Sequence, residues 1–231
     1  METKKKVFIS GASFAGLDTA AGALLIAGPV IFLLAEFIAA AAWTNPPYSY
    51  TYHFISNLGV HGPSTLFGQY MYSPLAWVMN IGFFLFGITI LAGVILLRGL
   101  QGWHRWAVLV PAILLALGGI LLALYPGSGE AMANGTGYHA EGAMAGFIGG
   151  NVLAILLGSL YQRVGLSPKL GRVLVTVGVI GLLSMVTYFV DLISDANILV
   201  GLVERGATHP FLISLICVGV SIWNRQTSSD L

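Results

Sequence analysis

Six runs of apolar residues, each close to the twenty needed to cross a bilayer, constrain this chain more than any other feature of its sequence. They cover about Ala20 to Trp43, Pro74 to Leu97, Trp106 to Tyr125, Tyr138 to Tyr161 and Val173 to Val190, with a sixth ending near Trp223. The sixth would be too short to span untilted if it began at Pro210. Its start lies somewhere between Leu199 and Pro210; a start earlier than Pro210 is the better reading and leaves Pro210 as a kink or an early-turn residue. Trp43, Trp106, Tyr125, Tyr161 and Trp223 fall at the ends of these runs, where amphipathic rings favour the membrane–water interface. The fold class that follows is all-α, an integral membrane bundle of six transmembrane helices. The organisation is an interfacial or cytoplasmic segment over 1–19, a transmembrane domain over 20–224 with a long first outer loop over 44–73, and a short cytoplasmic tail over 225–231. The basic start METKKK resembles that of a signal peptide, but the apolar run continuing to Trp43 is long for a cleavable one.

Charged residues make up 8% of the chain, where a soluble domain carries about 25%. A net charge of +1 offers no field for nucleic acid, so no nucleic-acid partner is expected. Where the few cations sit decides orientation. Lys4, Lys5, Lys6, Arg98, Arg105, Arg163, Lys169, Arg172 and Arg225 share the side of the termini, against Arg205 alone opposite. The positive-inside rule therefore predicts a multi-pass protein of the cell membrane with N- and C-termini in the cytoplasm. Acids and histidines collect at the other end: Glu36, Glu130, Glu141, Asp191, Asp195, Glu204, His53, His61, His139 and His209.

Glu36 lies seven residues before Trp43, about 10 Å below the outer boundary at the helical rise. A carboxylate there is expensive and should face the bundle interior, paired or protonated, as a ligand or proton-handling acid or as a structural hydrogen bond. The fifth run carries Ser184, Tyr188, Asp191 and Asp195 at helical spacing, a polar stripe that would line a cavity or solvate a helix end. Glu204 and Arg205 are adjacent and cannot face one another on a helix. Arg205 should pair with Asp191, Asp195 or Glu36 in a forked contact, with His209 one turn on along the same face. That set is either an anion-binding site or a salt bridge pinning two helices. In the fourth run Gly142, Gly146 and Gly150 make a close-packing face that His139 shares. Asn80 and Asn151 should donate hydrogen bonds between helices.

The loop NPPYSYTYHFISNLGVHGPSTLFGQYMYS is long, aromatic and nearly uncharged, and it reads as a cap over the outer mouth or as an interfacial anchor. His53, His139 and His209 lack the HxxxH or HExxH spacing that would support a metal, so no metal site is assigned. Cys217, the single cysteine, sits in an apolar run and excludes an internal disulfide.

At TYHFISNLG, at Pro74 to Asn80 and at GLVERGATHPF the chain resembles the prokaryotic membrane proteins filed as domain of unknown function 998. The resemblance implies an acid in the first span (Glu36), an ISDLG-like segment (Ile55 to Gly59), a histidine opening the fourth span (His139) and a Glu-Arg pair before the last (Glu204, Arg205). Asn57 stands here where an aspartate is usual. The resemblance implies no activity. The candidate ligand-binding residues are therefore Glu36, His53, Asn57, Asn80, His139, Tyr188, Asp191, Glu204, Arg205 and His209. The expected occupant is a lipid headgroup or small polar or anionic ligand. An outer-leaflet lipid- or isoprenoid-modifying enzyme, or an assembly subunit with an oligomeric or complex partner, are the other classes. The sequence names no cofactor and no catalytic residue.

Overall fold

The computed structural model describes residues 12–135, 137–194 and 198–229. The lysines near the N-terminus and Asp195 lie outside them. All six apolar runs are helices: α1 (Ala12–Ala42), α2 (Ala76–Leu96), α3 (Trp103–Leu124), α5 (His139–Ser159), α7 (Pro168–Ser194) and α8 (Val200–Ser229). Each contains a segment long and apolar enough to cross a membrane. Two short helices, α4 (Gly129–Ala133) and α6 (Tyr161–Val164), sit in the connections. Pro210 lies inside α8, ten residues from its start, so the sixth span begins early, as the length argument requires. α7 begins five residues sooner than the apolar run. The Ser167 hydroxyl accepts the Leu170 N–H at 3.2 Å as an N-cap, and Pro168 fills the first helical position, where its missing N–H costs nothing.

The spanning helices close into a ring, each packed on the next in chain order, and α8 returns to α1. α5 also reaches across to α8. Small residues allow this closeness. A Cβ added to Gly118 would lie 2.6 Å from the Gly146 nitrogen and 2.7 Å from the Gly142 oxygen, so α3 and α5 meet backbone to backbone. Asn151 donates from α5 to the Ala207 carbonyl of α8 at 2.8 Å, the interhelical bond expected of it. Outward-facing positions are large and apolar, including Phe37, Trp77, Leu117, Leu183 and Ile213. Such faces on α1, α2, α3, α7 and α8 suit lipid and not water.

The connection between α1 and α2 folds over one end of the ring. It holds a 3-10 turn (Ser56–Gly59) and an antiparallel hairpin of β1 (Ser64–Leu66) and β2 (Gln69–Met71), in register Ser64 with Met71 and Leu66 with Gln69. The hairpin turns at Phe67 and Gly68, both with positive φ, as a two-residue turn requires. Asn57, Leu58 and Gly59 are buried, so the 3-10 turn is seated in the bundle, and the hairpin reaches in behind it with Met71 buried in the core and Leu66 against it. The Ser64 hydroxyl accepts the Gly129 N–H at 2.9 Å, joining the hairpin to α4.

Candidate functional site

Glu36 is 0% exposed, about 9 Å below the end of α1 at the helical rise. Its partners come from α8. Arg205 Nε donates to Glu36 Oε1 at 3.0 Å and Nη2 lies 2.9 Å from the same oxygen, while Oε2 is 3.0 Å from His209 Nε2. Of the three acids within reach of the sequence argument, Glu36 is the partner, and Arg205 meets one carboxylate oxygen side-on in place of the expected fork. The second oxygen is taken by the imidazole.

The rest of the guanidinium is shared between the α1–α2 loop and its own helix. Nη1 donates to the carbonyls of Tyr50 at 2.7 Å, Gly201 at 2.9 Å and His53 at 3.2 Å, and Nη2 donates to the Tyr48 hydroxyl. The Tyr50 and Tyr48 rings stand 4.9 and 5.6 Å from Arg205 Cζ, close enough for cation–π attraction. With five N–H groups and this many acceptors, Arg205 has no donor left over. Glu204 answers the complementary need. Its buried carboxylate accepts the backbone N–H groups of Ile55 and Ser56 at the start of the 3-10 turn. Adjacent residues of one helix thus hold the donors and the acceptors of a single loop segment. Gly201 makes the approach possible, since a Cβ there would come within 3.0 Å of the His53 carbonyl carbon and the Tyr50 oxygen.

The loop braces itself around these contacts. His53 Nδ1 accepts the Ser49 N–H at 2.8 Å, and its ring stacks on Trp43 and Tyr48 with centroids 5.1 and 5.3 Å apart. Burial, and then the Arg205 charge, hold the imidazole below its ordinary pKa. Burial raises the Tyr48 phenol against the opposing pull of Arg205, and burial followed by Glu36 raises Tyr50. Tyr48 also donates to the Phe54 carbonyl at 3.0 Å. Asn57 Nδ2 donates to Gln69 Oε1 at 2.7 Å, because Gln69 turns its own amide N–H to the Tyr52 carbonyl. Asn57 therefore ties the 3-10 turn to the hairpin.

The other residues expected at this site sit elsewhere. Asn80 donates to the Gly59 carbonyl at 3.0 Å, anchoring the loop and not a second helix. His139 Nδ1 is 2.9 Å from the Tyr125 carbonyl, and its ring packs against Gly127. Asp191 Oδ1 accepts the Ile198 N–H at 3.0 Å, which closes the turn into α8. Tyr188 is boxed by the rings of Phe54, Phe147 and Phe189. Beside Glu204 a small space of about 40 Å³, room for a few waters, is lined by Phe83, Leu115, Phe147 and Phe211. Sequence reasoning passed over Tyr48 and Gly201 and read Trp43 as an interfacial ring alone. The density of aromatic rings in the loop was the one signal for the first.

His209 is the member of the cluster that opens outward, its side chain 30% exposed. It lines a groove of about 540 Å³ between α7 and α8, whose walls are otherwise apolar apart from Arg205 and Ser214: Val173, Val177, Leu202, Ile213 and others. The model of the family described as protein of unknown function (DUF998) matches residues 26–221, a stretch that includes Glu36, Asn57, His139, Glu204 and Arg205. The chain belongs to that family. No curated protein and no solved structure matches the chain.

Proposed function

We propose that this protein binds a membrane amphiphile that enters sideways from the bilayer into the groove between α7 and α8 and sets its polar head against His209. The observation that carries this reading is the exposure of His209 in an apolar groove while Glu36 holds its Nε2. With Arg205 donating to the other oxygen of Glu36, Nε2–H donates to Oε2, and Nδ1 remains as the ring's acceptor. A hydroxyl or amine head would satisfy it. His209 lies nine residues into α8, about 14 Å below the helix start, deeper than a phospholipid headgroup resides. Arg205 has its donors filled, so an anionic head finds no partner there. A long-chain alcohol or a related neutral lipid fits better than an ionised headgroup. Both termini face the cytoplasm in this reading, supported by the crowding of arginines at their end of the bundle.

The test is mass spectrometry of the protein purified in mild detergent. The native chain should retain a single-headed amphiphile. His209→Leu should retain about fivefold less, the worth of one hydrogen bond. Ile213→Trp, which fills the groove from an exposed position, should also empty it. Equal retention in all three proteins would end the proposal.

A further inference from the structure

A second pocket lies at the opposite end of the bundle. It has a volume of about 190 Å³ and is walled by Asp18 of α1, by Leu97, Arg98, Gly99 and Leu100 of the α2–α3 connection, by Arg163 and Val164 of α6, and by Ile222 and Arg225 of α8. Four separate parts of the chain therefore converge there, and three of them each bring an arginine. Among the described residues, three arginines and one aspartate line this one small space, so its described lining leans positive. Like charges gathered this way repel one another, and an anion between them relieves the cost.

The backbone is shaped to allow the gathering. Gly165, the residue ending α6, has φ of +75°, and any side chain there would collide with the Arg225 guanidinium. Gly99 likewise lets the α2–α3 connection touch the Arg163 carbonyl, so two of the arginine-bearing segments meet directly. A neighbouring cation shows the contrast. Arg105 is spent on the end of α2, donating to the Leu97 carbonyl at 3.1 Å and the Ile95 carbonyl at 2.8 Å, and does not line this pocket.

We propose that this pocket binds a phosphate-bearing anion, either the headgroup of an acidic phospholipid or free phosphate. Planar guanidinium groups from several directions suit the oxygens of a phosphate better than a single carboxylate. The placement suits it too: basic pockets between spanning helices at the cytoplasmic surface take acidic headgroups. The site is separate from the His209 groove and does not depend on what occupies it.

The experiment places the full-length protein in nanodiscs of equal phosphatidylglycerol and phosphatidylcholine and reads retained lipid by native mass spectrometry, with and without millimolar inorganic phosphate. Retention should favour phosphatidylglycerol. Arg163→Gln with Arg225→Gln should weaken that preference roughly ten- to thirtyfold, about one charge's worth of attraction for each arginine. Both arginines are exposed, so the bundle should melt as the native protein does. Asp18→Asn should move retention the other way, which tests the idea even if the double variant misfolds. If inorganic phosphate binds instead, phosphate should raise the melting temperature of the native protein and leave that of the double variant unchanged. Equal retention of both lipids with no effect of phosphate, or a preference that none of these substitutions alters, would overturn the proposal.

Discussion

Replacing Glu36 with glutamine tests how the α1–α2 loop is held. The substitution keeps volume, removes the charge facing Arg205 at 2.9 Å and turns the oxygen that meets His209 into an amide donor, which the imidazole can match by carrying its proton on Nδ1. Arg205 is 6% exposed and Glu36 0%, so little water is available to replace the lost carboxylate. Breaking one side of a buried ion pair costs about 3–5 kcal/mol. For a chain of this length each kcal/mol moves the melting temperature by roughly 2–4 °C, which gives a fall of about 10 °C. The damage should appear first at residues 48–56, because the same guanidinium holds the Tyr50 and His53 carbonyls. Limited proteolysis in detergent should cut this loop in Glu36→Gln well below the temperature at which the bundle melts, and the fluorescence of Trp43, stacked on His53, should shift with it. A melting temperature within 2 °C of the native protein, with the loop equally protected, would show that Arg205 does not depend on this carboxylate.

Other outcomes follow from the same contacts. Gly201→Ala should release the loop without emptying the bundle core, seen as faster cleavage between Tyr48 and Ile55, because the added methyl meets the loop backbone. His53 is held below its ordinary pKa, so the unfolded or released loop binds a proton more readily than the docked one. Docking strength should hold steady above pH 6.5 and decline as pH falls below it, and His53→Phe should flatten this dependence in a proteolysis titration. Asn57→Asp sets a carboxylate against Gln69 Oε1, forcing the glutamine to turn and abandon the Tyr52 carbonyl. A loss of about 1–3 kcal/mol, read by hydrogen exchange of the hairpin, is expected.

The spans were legible because hydropathy over twenty residues is a property of local sequence, and lipid imposes it on every outward face. The early start of α8 was legible from length alone. The pairing of Glu36 with Arg205 was legible as one of three choices. What decided it was helix placement: α1 packs on α8 so that Glu36 lies against Arg205, while Asp191 Oδ1 turns to the Ile198 N–H seven residues on. The hairpin was not legible, for three-residue strands turning at Phe67–Gly68 leave no alternation long enough to read. Tyr48 was hidden among neighbouring tyrosines that share its chemistry, and only the path of the backbone over α8 distinguishes it. Nor could the sequence reveal that Arg205 has every donor occupied. That follows from three loop carbonyl and hydroxyl groups whose positions depend on the whole cap.

Glu36 and Arg205 are 169 residues apart, in the first helix made and the last. At ordinary synthesis rates of 5–20 residues per second the acid is threaded into lipid roughly ten to thirty seconds before the cation that will neutralise it exists. Throughout that interval the earliest helix must shelter the group as a neutral acid or hold it toward water. The bundle therefore cannot mature from its beginning onward; its opening segment waits, half-finished, for its close.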